Sequence, residues 1–161
     1  PEKVVAIQPQ VAGDFPPRER ELVAYVFRKP ELVRLVCQDE AFDLIETEQV
    51  KKFFLQLLDE FEEFGRVDPH DFVARLQNPG LKDICGELLL QADAIPDITV
   101  EKAVEQMLGA MNRSGIRARQ LAARREVKRA EARGDLDEAI AMSEQVDALE
   151  RELAKLARAQ N

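Results

Sequence analysis

The residues best suited to chemistry in this chain are few and scattered. Asp68, His70 and Asp71 come nearest to a metal cluster, two carboxylates and the only imidazole within four positions. Zinc and its relatives need three or four well-placed donors, and no second His or Cys follows in the neighbouring sequence. The same residues fit a plainer role. Asp68-Pro69 has the form of an N-cap followed by Pro at the first helical position, and acids in a first turn satisfy free amides and the helix dipole. Cys37 and Cys85 each follow a cation by three residues, Arg34 and Lys82, an arrangement that favours a thiolate. Neither has a His nearby to act as a base, and both fall on or beside apolar helical faces, where a free Cys packs as a small hydrophobe. Glu62 and Glu63 are adjacent on a helix and point different ways. Phe53, Phe54, Phe61 and Phe64 recur at helical spacing and read as a core stripe, because a base-stacking platform needs exposure and basic neighbours. No Gly-rich loop offers a phosphate cradle. The expectation is no catalytic residue and no metal ligand in this chain. It reads as a binding module rather than an enzyme.

The elements that would carry these residues are helical. The chain has 161 residues, of which 45% are apolar and 34% charged, enough for one domain with a small appendage. It opens on Pro rather than Met, as expected of a processed or excised piece, and residues 1–15 read as a flexible leader. Leu22, Val23, Val26 and Phe27 keep a helical period until Pro30. Leu32, Leu35 and Val36 make a short second helix ending near Gln38-Asp39. Thr47 is the expected N-cap of a stronger helix through Val50, Phe53, Phe54, Leu57, Leu58, Phe61 and Phe64, closed by Gly65. Asp68-Pro69 opens a helix with Phe72, Val73 and Leu76. Asn78-Pro79 repeats the device ahead of Leu81, Ile84, Cys85, Leu88 and Leu89. No segment alternates with period 2 over a strand's length. Residues 16–111 are therefore expected to form an all-α helical bundle.

The last third is different. After Ile95-Pro96-Asp97, Thr99 is expected to cap one helix from Val100 to Arg133, with Gly109 and Ser114-Gly115 as weak points and the Ser114-Gly115 pair as a candidate hinge. Gly134 ends it, and Asp135 starts another with Glu138 three residues on. Ala139, Met142, Val146, Leu149, Leu153 and Leu156 then follow at alternating spacings of three and four, a heptad seam. Residues 112–161 thus read as a long, protruding, antiparallel two-helix hairpin, continuous with the last bundle helix. On its outgoing arm two seams remain open, Ile116, Ala123, Val127 and Ala130, or Ala118, Leu121 and Ala122. Leu136 and Ile140 fall outside the heptad seam near the tip.

Charge follows the same division. The net charge is −8, yet residues 113–133 carry eight Arg and Lys (Arg113, Arg117, Arg119, Arg124, Arg125, Lys128, Arg129, Arg133) against Glu126 and Glu131. The leading reading is charge matching with the acidic returning arm. A globally acidic chain is a poor generic nucleic-acid ligand, so direct binding is not expected, and if it occurs it must start on this basic stretch. No run of apolar residues approaches the length of a membrane span, and no signal peptide opens the chain.

Taken in order, ERELVAYVFRKPELV resembles the first helices of the C-terminal domain of bacterial replicative DNA primases of the DnaG type, and ARGDLDEAIAMSEQVDALERELAKL resembles that family's terminal hairpin. The resemblance spans about residues 16–158 and rests on the order and spacing of helices. It implies a cytoplasmic helicase-binding domain that recruits the RNA-primer synthase to the hexameric DnaB-type replicative helicase, docking on the helicase N-terminal domain within the primosome. It implies that zinc and magnesium belong to other parts of the parent nucleotidyltransferase, with no cofactor in these residues. Leu136, Ile140, Asp135 and Arg133 are then the candidate helicase contacts. Two other functions fit the residues: a nucleic-acid-binding module using the Arg-rich helix 113–133, and a coiled-coil adaptor that self-associates through the 139–156 seam.

Overall fold

The computed structural model describes residues 15–159, and these are all-helical, with no strand among them. Seven α-helices follow in order: α1 (Pro17–Arg28), α2 (Val33–Gln38), α3 (Glu48–Phe64), α4 (Pro69–Ala74), α5 (Pro79–Asp93), α6 (Asp97–Arg133) and α7 (Leu136–Ala159). Two 3-10 turns, Pro30–Leu32 and Glu40–Leu44, flank α2. The chain divides into two compact units between Leu108 and Gly109. The leader expected over residues 1–15 lies outside the described residues except for Phe15. That residue is buried and belongs to the core.

Local chemistry explains most of the boundaries in the first unit. Pro16 precedes α1, and Pro17 supplies a preset φ where a free N–H would be orphaned. Asp68 accepts from the His70 amide at 3.0 Å, and Asn78 accepts from the Leu81 amide at 3.1 Å, so α4 and α5 begin on side-chain caps. Gly65 closes α3 at φ 75°, a left-handed conformation that costs a glycine nothing. The Asp39 carboxylate accepts from the Ala41 amide at 2.8 Å and starts a 3-10 turn that the sequence pattern did not announce.

Inside this unit α1 lies against α5, α2 against α3, and α4 against α5. Leu22, Val23, Val26, Val36, Phe54, Leu57 and Leu88 have almost no exposed surface. Phe53 is the hub of an aromatic cluster. Its ring meets Phe27 edge-on at 5.4 Å and Phe72 at 5.2 Å, arrangements that ring quadrupoles favour. Arg28 donates to the Ile95 carbonyl at 2.7 Å, which fixes the chain between α5 and α6 against the end of α1.

Several expectations need correction here. Phe64 is 65% exposed rather than core, and Phe61 is half-buried under the Arg34 guanidinium, 4.9 Å from its ring centre. The apolar period continues to the end of α3, but the elements that cover it do not. Thr47 occupies the N-cap position without its hydroxyl accepting a cap bond. Thr99 is not the cap of α6, which begins two residues earlier at Asp97 directly after Pro96; the Thr99 hydroxyl donates back to the Pro96 carbonyl at 3.0 Å. Ser114 and Gly115 lie in unbroken helical backbone. One glycine in a helix interior costs only about 1 kcal/mol, too little by itself to break a long helix.

Candidate functional site

The sequence-level metal candidates do separate work. Asp68 is engaged as the α4 cap, and Asp71 pairs with Arg75 at 3.2 Å one turn on. Among the described residues no group of three His, Cys, Asp or Glu is arranged to hold a metal ion. Both cysteines are free. Burial, aided by the Asp59 carboxylate, pushes the Cys37 thiol up to about 11, and burial alone pushes Cys85 up to about 12. Arg34 does not serve Cys37. It makes a two-pronged bond to Glu62, Nε to Oε1 at 3.0 Å and Nη2 to Oε2 at 2.9 Å, and these hydrogen bonds hold the Glu62 carboxyl below its ordinary value.

One buried acid escaped the sequence reading. Glu19 on α1 is buried, and its Oε2 accepts from the Glu46 amide at 2.7 Å. Its partner lies 27 residues away, so no local pattern signals it.

The second unit, from Gly109 onward, holds the remaining candidates. Gly134 adopts φ 77°, its amide donates to the Glu131 carbonyl at 3.0 Å, and the Asp135 amide donates to the Ala130 carbonyl at 2.9 Å. This is a Schellman closure of α6. Asp135 then turns its carboxylate forward and accepts from the Glu138 amide at 3.1 Å, capping α7. Asp135 is therefore engaged locally. Arg133 reaches back to Glu126 at 3.4 Å, where Arg129 also binds at 3.1 Å.

Beyond this turn, side-chain contacts join α7 to α6. Gln120, buried despite its polarity, donates to the Glu150 carboxylate, and Arg124 stands 4.0 Å from the same group. Ala139 and Leu149 are buried, and Met142, Val146, Leu153 and Leu156 are half-buried. Of the two outgoing seams left open by the sequence, Ile116, Ala123 and Ala130 are buried and Val127 half-buried, whereas Ala118, Leu121 and Ala122 face out. Leu136 and Ile140 are 67% and 58% exposed, one helical turn apart at the start of α7. No described helix is long and apolar enough to cross a membrane.

What this region offers chemically is recognition. It presents exposed aliphatic side chains beside a row of cations, on helices whose ends are tied by backbone bonds. Comparison with protein-family models, with curated proteins and with solved structures returned no match at the level required.

Proposed function

We propose that this chain is a protein-docking domain, the helicase-binding domain of a bacterial DNA primase. In this reading it recruits the RNA-primer synthase to a DnaB-type hexameric helicase at the replication fork. Residues 16–111 act as a helical bundle, and residues 112–161 as an antiparallel hairpin whose tip meets the helicase N-terminal domain. Chemistry and its metals belong to other parts of the parent nucleotidyltransferase.

The observation that carries the reading is the exposure of Leu136 and Ile140 on the first turns of α7. The heptad positions of the same helix are buried or half-buried. Exposed aliphatic groups on a rigid helix, ringed by polar residues, are the usual anchors of an interface. The order of helical segments that resembles the primase domain points to which partner. Arg133 and Asp135 contribute by holding the tip in shape, since one binds Glu126 and the other caps α7.

The direct test is to mix the purified chain with the replicative helicase of the same organism and follow complex formation by size-exclusion chromatography. Co-elution is expected. Separate elution at micromolar concentrations would end this assignment.

The nucleic-acid reading has one specific observation in its favour. Arg113, Arg117, Arg119, Arg125 and Lys128 make no ion pair among the described residues. If phosphates were their partners, affinity for DNA would fall steeply with added salt.

A further inference from the structure

The cations of α6 are not spread evenly around it. At about 100° per residue, Arg113, Arg117, Arg124 and Lys128 fall within about 60° of one another and form a stripe about 22 Å long. This stripe borders the line of contact with α7. Between the two helices lies a groove of about 540 Å³, whose lining includes Arg117, Leu121, Arg124, Leu153 and Ala154.

Helical geometry places the tip residues on the same side. Ala154 lines the groove, and it follows Leu136 by about five full turns, so the two share one face of α7. Ile140 lies about 40° from them. Leu121, Leu136 and Ile140 are the exposed large aliphatic residues of the second unit, and all three face this one side. The rise of 1.5 Å per residue puts Ile140 and Leu121 about 6 and 18 Å from the turn, with Lys128, Arg124, Arg117 and Arg113 at about 8, 14, 24 and 30 Å.

We propose that this side of the helix pair is a docking face for one acidic amphipathic helix of a protein partner, laid lengthwise over Leu136, Ile140 and Leu121. Its carboxylates would be met by Lys128, Arg124, Arg117 and Arg113. Charge complementarity along α6 selects this occupant, whose acidic edge must lie on that side because Asp147 and Glu150 sit on the α7 half of the face. The stripe is a cationic strip on a chain of net charge −8, and only Arg124 of its four cations is matched from within, by Glu150. The aliphatic residues set along it favour a helix over a nucleic acid, because phosphates gain nothing from Leu121 or Ile140. Helix-in-groove recognition uses this combination of spaced apolar anchors and a charged rim. The inference deepens the docking reading by resting on Leu136 and Ile140 as anchors, but it does not require the partner to be a helicase.

The test uses the full chain and four probes: a 24-residue peptide designed as a helix with one leucine face bordered by glutamates, a scrambled peptide of equal composition, a 20-base-pair DNA duplex, and the helicase N-terminal domain. The variants are Leu121→Glu, Arg117→Glu with Arg124→Glu, Leu136→Ala with Ile140→Ala, and the off-face control Arg119→Glu with Arg129→Glu, each checked for unchanged helicity. The amphipathic peptide should bind at least about tenfold more tightly than its scramble. Leu121→Glu and the on-face pair should each weaken it about tenfold or more, and the control about twofold or less. Equal binding of both peptides, DNA binding that matches the peptide and ignores Leu121→Glu, or self-association abolished by Leu121→Glu would each overturn the proposal. Peptide binding of the expected pattern without helicase binding would sustain it and remove the helicase assignment. Helicase binding that depends on Leu136 and Ile140 but is indifferent to the Leu121 and on-face variants would do the reverse.

Discussion

Leu149→Ala probes the pairing of α6 and α7 at a buried position of α7. Leu149 is buried, and it sits one residue before Glu150, the acid that accepts from Gln120. On α6, Gln120 and the small Ala123 are buried as well. The substitution removes three carbons from Leu149. At about 0.8 kcal/mol for each buried carbon the transfer loss alone is about 2.4 kcal/mol. A cavity contribution is added to this, and the total should come to about 3 kcal/mol, inside the 2–5 kcal/mol range of such changes. In a domain of this length that corresponds to a melting shift of roughly 6–12 °C, if the chain unfolds as one cooperative unit. If the second unit melts separately, the whole loss falls on its transition. The assay is far-ultraviolet circular dichroism against temperature, with Leu136→Ala/Ile140→Ala alongside. Those two positions are exposed, and each should shift stability by only about 0.5 kcal/mol or less. A double variant that melts early beside an unaffected Leu149→Ala would mean that α7 presents a different face to α6, and the assignment of tip and seam would fail together.

Phe53→Ala should cost about 3–5 kcal/mol, because the ring is the buried hub between Phe27 and Phe72, whereas Phe64→Ala should stay within about 0.5 kcal/mol; parallel urea titrations check the contrast. Asp135→Ala removes the α7 cap and should cost about 1 kcal/mol, with Asp135→Asn recovering most of it in the same titration. In the folded chain both thiols should resist iodoacetamide at pH 8 and react fast in guanidinium, since they hold their protons to about 11 and 12. The sign for stability follows: a proton held more tightly when folded stabilises the fold fully below the ordinary thiol value near 9, and this contribution is lost as pH rises through about 11 and 12. Wild type should therefore lose more stability than Cys37→Ala/Cys85→Ala between pH 9 and about 11, and equal losses would contradict it.

How much of this was legible in the sequence depended on the range of the signal. Caps and stops are local, so Asp68-Pro69, Asn78-Pro79, Gly65 and Gly134-Asp135 stand where their chemistry put them. Thr99 misled because it is a good cap residue two positions inside a helix that Pro96 had already started. The 3-10 turn Glu40–Leu44, which leads into the buried Ile45, has no long period to read; it is organised by one Asp39 bond. Phe64 failed for a different reason. Period identifies a helix face but not how far along it the covering elements extend. The outgoing half of the α6 contact could not be chosen from sequence, since alanines lie on both possible seams and differ little in hydrophobic weight. Only the pairing across α7, seen at Gln120 and Glu150, separates them. In the candidate site, the exposure of Leu136 and Ile140 and the local engagement of Arg133 and Asp135 are structural facts. The placing of Leu121 and the basic stripe beside the same groove needed both helices in view.

The exposed pair on α7 is proposed as the contact with a replicative helicase. Isothermal titration of the helicase N-terminal domain with the wild-type chain and with Leu136→Ala/Ile140→Ala tests it most directly. The wild type should bind, and the double variant, with unchanged melting, should lose about 2 kcal/mol or more, at least about tenfold in affinity. No heat of binding with the wild type, or equal affinity for both chains, would contradict it.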